Sequence, residues 1–258
     1  MKKLGLLLAT LALTTLTGLP ALSQSPFDGT WKLDVTKSQL TGDTFTYSRT
    51  PAGMMHYSDG AFDWDFGIDG KRYPTVSNMT TTWMKVDVNK WNSEGRMGDK
   101  VVDTIQRVLS NGDKTMTVTY TAYRPDGKSD TSTTIYNKVG SGKGLEGTWK
   151  NVKAKEVPED TLTLSLNGGK LLLKDLNFQS TVEGQVDGSE LQVKGPSVPA
   201  GLTIAYKATS DSRLDYTVKM NDKVISVGYM TVSGSTLTDT SWTPGKENEK
   251  EASVYNRQ

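Results

Sequence analysis

The dominant spacing of apolar residues along this chain is two. From 115 to 123, Met116, Val118, Tyr120 and Ala122 fall on one side of an extended backbone and threonines on the other. Leu162, Leu164 and Leu166 repeat the pattern, as do Leu214, Tyr216, Val218 and Met220. Such alternation predicts strands with one buried face, and threonine suits the wet face because its β-branch fits the pleat. The stretch 99–109 is less regular. Val101, Val102, Ile105 and Val108 fit a helix or a strand, and the Asn111-Gly112 turn that follows favours the strand. A short helical turn is expected near 36–40.

Asn-Gly, Asp-Gly and similar pairs punctuate these runs at 59–60, 69–70, 111–112, 126–127, 167–168, 187–188, 221–222 and 233–234. They reach positive φ cheaply, as two-residue hairpins require. Consecutive hairpins with alternating faces predict an antiparallel meander, and about eight strands can close into a barrel that is either filled or holds one small ligand.

The meander is predicted twice. Phe27-Asp28-Gly29-Thr30-Trp31-Lys32 returns as Leu145-Glu146-Gly147-Thr148-Trp149-Lys150, and Tyr136-Asn137-Lys138 returns as Tyr255-Asn256-Arg257. The expected fold is all-β, two tandem antiparallel meander barrels over residues 24–139 and 145–258, joined by a Gly/Ser linker at 140–144.

Residues 1–23 read as a leader rather than structure. Lys2 and Lys3 precede an apolar stretch, and Ala21-Leu22-Ser23 offers small residues for cleavage after Ser23. Export to the periplasm or the extracellular space is expected, with no membrane anchor. The chain has no cysteine, so stability must come from core burial. Charges cancel in the first copy and net −1 in the second. Neither has the basic surplus of a nucleic-acid binder.

Few residues suggest chemistry. Asp63, Asp65 and Asp69 do not fit a calcium loop, because Gly67 and Pro74 fall where oxygen ligands belong. Asp63 and Asp65 share the wet face of a strand whose other face holds Phe62, Trp64 and Phe66. His56, the single histidine, has no cysteine to join in a zinc site, and no nucleophile elbow or phosphate loop is present. No cofactor is implied. The aromatic distribution is more telling. Of 21 aromatic residues 14 lie in the first copy, and Tyr57, Phe62, Trp64, Phe66, Tyr73, Trp83 and Trp91 crowd one stretch. These rings either fill the barrel or line a pocket, with Trp83 and Trp91 expected near an open mouth beside the 89–95 loop residues.

A Gly-x-Trp opening the first strand of such a meander resembles the calycin group, which includes lipocalins, fatty-acid-binding proteins and avidins. The first copy resembles lipocalin-like domains of exported bacterial proteins in Gly-Thr-Trp-Lys-Leu at 29–33, Asp-Gly-Lys-x-Tyr-Pro at 69–74, Asp-Lys-Thr-Met-Thr-Val at 113–118 and the closing Tyr-Asn-Lys. The resemblance implies structural roles for Trp31 and Trp149, each packed across a closed barrel end against a cation, with Lys138 and Arg257 in place to supply it. The expected function is non-enzymatic binding of a small hydrophobic or aromatic ligand by Tyr57, Trp64, Phe66, Tyr73, Trp83 and Trp91. The alternatives are an enzyme using Asp63, Asp65, Arg72 and Tyr73, and a protein-binding module of the inhibitor or adhesin kind.

Overall fold

The computed structural model describes residues 24–258, so the expected leader lies outside the described residues. The chain opens with β1 (Gly29–Leu33). Then come β2 (Thr44–Arg49), β3 (Met55–Ser58), β4 (Asp63–Phe66), β5 (Arg72–Pro74) and β6 (Met79–Asp87). β7 (Lys90–Met97), β8 (Lys100–Ser110), β9 (Thr115–Tyr123) and β10 (Ser129–Val139) complete the first repeat. The second contains β11 (Gly147–Glu156), β12 (Thr161–Asn167), β13 (Lys170–Asp175), β14 (Ser180–Gln185) and β15 (Asp187–Gln192). It continues through β16 (Leu202–Ser210), β17 (Arg213–Met220), β18 (Lys223–Ser233), β19 (Thr236–Trp242) and β20 (Glu251–Arg257). The helical turn expected near 36–40 is a plain turn closed by Lys37 N–H to Asp34 C=O at 3.2 Å. Among the described residues the helical element is a single 3₁₀ turn, Glu247–Glu249, and no helix is long and apolar enough to cross a membrane.

The strands build two ten-stranded antiparallel sheets, each curled into a nearly closed barrel. Segment 100–110 is a strand, as its approach to the Asn111-Gly112 turn requires. The second barrel is laced where β14 meets the end of β15, by reciprocal hydrogen bonds of 2.8 and 2.9 Å between Thr181 and Lys194. In the first, β4 and β5 are the edge strands, joined through the 67–71 turn.

The boundary between repeats is not the boundary between sheets. β11 lies between β10 and β2 in the first barrel, whereas β1 lies between β20 and β12 in the second. The two opening strands are exchanged, which corrects the expected division at 24–139 and 145–258. The cause is local. The 140–146 link is short, and strands joined by a short link pair antiparallel with each other. β11 therefore takes the closing position beside β10, and β1 is left to pair with the last strand, β20. Identical Gly-Thr-Trp-Lys sequences make either strand acceptable to either barrel.

Each tryptophan of the repeat is fully buried. Its indole N–H donates to the carbonyl four residues earlier, Trp31 to Phe27 at 2.9 Å and Trp149 to Leu145 at 2.7 Å. A cation lies over each ring, Arg257 at 4.2 Å from Trp31 and Lys138 at 4.7 Å from Trp149. Arg257 also donates to the carbonyls of Asp28 and Pro26, and Lys138 to those of Gly142 and Gly144. Gly147 has φ +124°, and a Cβ there would sit 3.3 Å from the Lys138 stem, so the glycine of the motif makes room for the cation.

The interiors differ. The second barrel is filled largely by aliphatic side chains, among them Leu162, Leu164, Leu171, Leu214, Met230 and Leu237. The first is built on aromatic rings, Phe45, Tyr47, Phe66, Trp83, Trp91 and Trp149.

Candidate ligand cavity

The inward face of β8 carries Asp103, Ile105, Arg107 and Leu109. Arg107 shares its rung with Trp91 of β7, Val118 of β9 and Thr134 of β10, so the pleat directs its guanidinium into the barrel. There it is 6% exposed. Nη1 donates to Ser93 Oγ at 2.8 Å, and the guanidinium stacks over the Trp83 ring at 4.0 Å. Trp83 in turn stacks on Phe66 with centroids 4.3 Å apart. The Tyr47 hydroxyl also faces the guanidinium; burial pushes that phenol up, and the cation opposes the shift. Among the described residues no ion pair neutralises Arg107. Asp103, on the same strand, feels its charge, but burial dominates and raises that carboxyl.

Above Arg107 is a cavity of about 460 Å³. Its walls include Phe45, Tyr57, Tyr120 and Tyr136 from the first barrel and Trp242 from the second. Burial pushes the Tyr120 hydroxyl up to about 12, and Tyr136 rises for the same reason. These phenols remain neutral donors at physiological pH.

The second barrel contributes part of the rim. Glu249 accepts from Thr44 N–H at 2.9 Å and from Thr44 Oγ1 at 2.8 Å. Lys246 donates to the Thr44 carbonyl at 2.7 Å and pairs with Glu249 at 3.1 Å. This clamp holds segment 243–250 across the mouth. Beside it, Asp43 from the link before β2 faces Glu251 at the start of β20. Burial pushes Glu251 up to about 7, with Asp43 adding to the shift, and burial raises Asp43 as well.

Of the residues singled out in the sequence, Tyr57 lines this cavity. Trp64 packs on Tyr57 with centroids 4.3 Å apart. Phe66 and Trp83 form the floor beneath Arg107, so Trp83 is not at an open mouth. Trp91 lies under Lys85 at 5.6 Å and lines a separate depression with Val88, Asn89 and Leu145. The physical reason is the register: the β6–β7 turn falls at the barrel end that holds Leu145 and Trp149, opposite the cavity. Tyr73 donates to Asp69 at 3.1 Å.

The candidate acid–base residues do not converge. Asp63 and Asp65 are exposed, the former 3.8 Å from Lys223 and the latter 2.7 Å from His56. Arg72 pairs with Asp99 at 3.0 Å.

The equivalent rung of the second barrel shows what makes the first distinctive. Tyr136 lies beside Met116 and Leu109, and Tyr255 lies beside Leu237 and Val232. Two residues farther into each barrel, Arg107, Val118 and Thr134 correspond to Met230, Asp239 and Ser253. Where the first barrel has a cation beneath a cavity, the second has a buried methionine.

Neither protein-family models nor curated protein sequences give a match to this chain.

Proposed function

We propose that the first barrel is a non-enzymatic binding module for a small organic anion with an apolar or aromatic body. The observation that carries this reading is Arg107, a buried guanidinium with no carboxylate partner among the described residues, at the base of an aromatic-walled cavity. A buried charge is costly unless paired. Stacking on Trp83, the hydrogen bond to Ser93 and the facing Tyr47 hydroxyl leave several of its five donors available to a planar anion. A volume of about 460 Å³ falls within the range of small-molecule pockets, roughly 300–1,000 Å³. A calycin-like role in an exported protein is consistent with this placement, and the second barrel serves as its support and partial cover.

The test is a titration of intrinsic tryptophan fluorescence and binding heat with aromatic and aliphatic carboxylates and their matched amides. Trp83, in contact with the guanidinium, is the reporter. Carboxylates should bind at least tenfold tighter than amides, and Arg107→Met should abolish the difference. A panel in which no carboxylate shifts the emission or gives binding heat would overturn the reading.

A further inference from the structure

Arg107 accounts for one end of a ligand, and two acidic side chains lining the same cavity pose a different requirement. These are Asp43 and Glu251, which reach the cavity from different barrels. Their carboxyls are close enough to share a hydrogen bond when one carries a proton. Among the described residues Asp43 Oδ1, a buried atom, has no hydrogen-bond partner. Such an oxygen needs a donor.

Among the described residues no neighbouring cation supplies one. Lys246 is committed to Thr44 and Glu249, and Glu249 adds negative charge facing Asp43. Asp59, on the β3–β4 turn, is occupied by the Ala61 and Phe62 amides and the Tyr57 hydroxyl. Asn151 of β11 stabilises Asp43 but carries no charge. The Tyr136 hydroxyl, on the same cavity wall, feels the charges of Asp43, Glu251 and Arg107.

We infer that Asp43 and Glu251 form a cation subsite for an ammonium group, so that the ligand is an aromatic zwitterion with its carboxylate on Arg107 and its amine at the rim. This rests on the reading of Arg107 given above and narrows it from organic anions in general to amino-acid-like ones. In the unliganded protein a proton does the work of the amine. Glu251 titrates near 7 because of burial and Asp43, so near neutrality the pair holds a proton that an arriving ammonium replaces. Binding then releases up to one proton, and affinity rises with pH through 7 until the pair is ionised without the ligand.

The experiment is calorimetry at pH 6, 7 and 8 in phosphate and Tris, whose ionisation heats differ, with tryptophan, N-acetyltryptophan and tryptamine. Tryptophan should bind at least tenfold tighter than N-acetyltryptophan at pH 8, with proton release at pH 7. Glu251→Gln should remove both the preference and the proton release while N-acetyltryptophan still binds. Asp43→Asn should do the same, which guards against a folding defect in either variant. Equal affinity for tryptophan and N-acetyltryptophan in the native protein, without proton release, would overturn the subsite and leave the Arg107 reading standing. No binding by any of the three would overturn the zwitterion; the carboxylate–amide panel then decides the Arg107 reading separately.

Discussion

The Arg257 guanidinium lies 4.2 Å from the centre of the Trp31 ring, joining the last strand of the chain to the first. The pair completes the second barrel with a strand from the first repeat. Trp31→Ala removes a fully buried indole and should cost about 3–5 kcal/mol, whereas Arg257→Met, which spares the indole, should cost about 0.5–2 kcal/mol. The location of the damage is the sharper expectation. Hydrogen exchange in Trp31→Ala should accelerate in β12 and β20, and in Trp149→Ala in β2 and β10. Loosening of β2 and β10 by Trp31→Ala would contradict the strand exchange.

Arg107 makes a prediction about stability that is independent of any ligand. A cation buried without a counter-ion serves binding at the expense of folding, and apolar replacements of buried charged groups are often stabilising by about 1–4 kcal/mol. Met230 shows that methionine fits the equivalent rung. Arg107→Met alone would leave the buried Ser93 hydroxyl without its partner, so the cleaner variant is Arg107→Met with Ser93→Ala. It should melt at a higher temperature than the native protein. A lower melting temperature would mean that the stacking on Trp83 outweighs the cost of the charge.

The clamp across the mouth is separable from both barrel cores. Glu249→Ala deletes two hydrogen bonds to Thr44 and leaves Lys246 without its carboxylate. A loss of about 1–3 kcal/mol is expected, with faster proteolysis confined to 243–250 and 34–43. Cleavage spread through β12–β14 instead would show that the clamp supports the second barrel rather than the mouth.

Much of the fold is legible in the residues, because period-two alternation and turns such as Asn221-Asp222, with φ +47° and +68°, are local signals. The places of Lys138 and Arg257 over the tryptophans are implied by the calycin resemblance, each lying two residues after a strand tyrosine. The strand exchange is not legible, since Gly29–Lys32 and Gly147–Lys150 are identical and only the short 140–146 link decides between partners. Arg107 is hidden for a related reason. The inner face of β8 reads Asp, Ile, Arg, Leu from 103 to 109, so polar lumen residues break the alternation that marks a strand. That is why the stretch also fits a helix. Tyr57 carries an aromatic signal, whereas Trp242 and Glu251 enter the cavity only because the second barrel packs over the first.

Asp239 gives the second barrel a pH dependence of its own. It occupies the rung beside Met230, accepts from the Tyr216 hydroxyl at 2.7 Å, and burial pushes it up to about 6 from an ordinary value near 3.8. Its folded pKa lies above its unfolded one, so between those values the folded state holds more protons. Stability therefore falls as pH rises from about 4 to 6 and levels off above that. The shift corresponds to about 3 kcal/mol at most. Glu251 extends the same trend toward pH 7. Asp34, Asp69 and Asp126 have the opposite sign, because hydrogen bonds lower their carboxyls and their contribution is lost only as pH drops below 4. Melting temperature should thus peak in mildly acidic buffer and decline toward pH 8. Asp239→Asn keeps an acceptor for Tyr216 but cannot ionise, so its melting curve should be flatter above pH 4 and lie above the native one at pH 8. A native melting temperature that climbs steadily from pH 5 to 8 would contradict the raised Asp239 carboxyl and the burial that causes it.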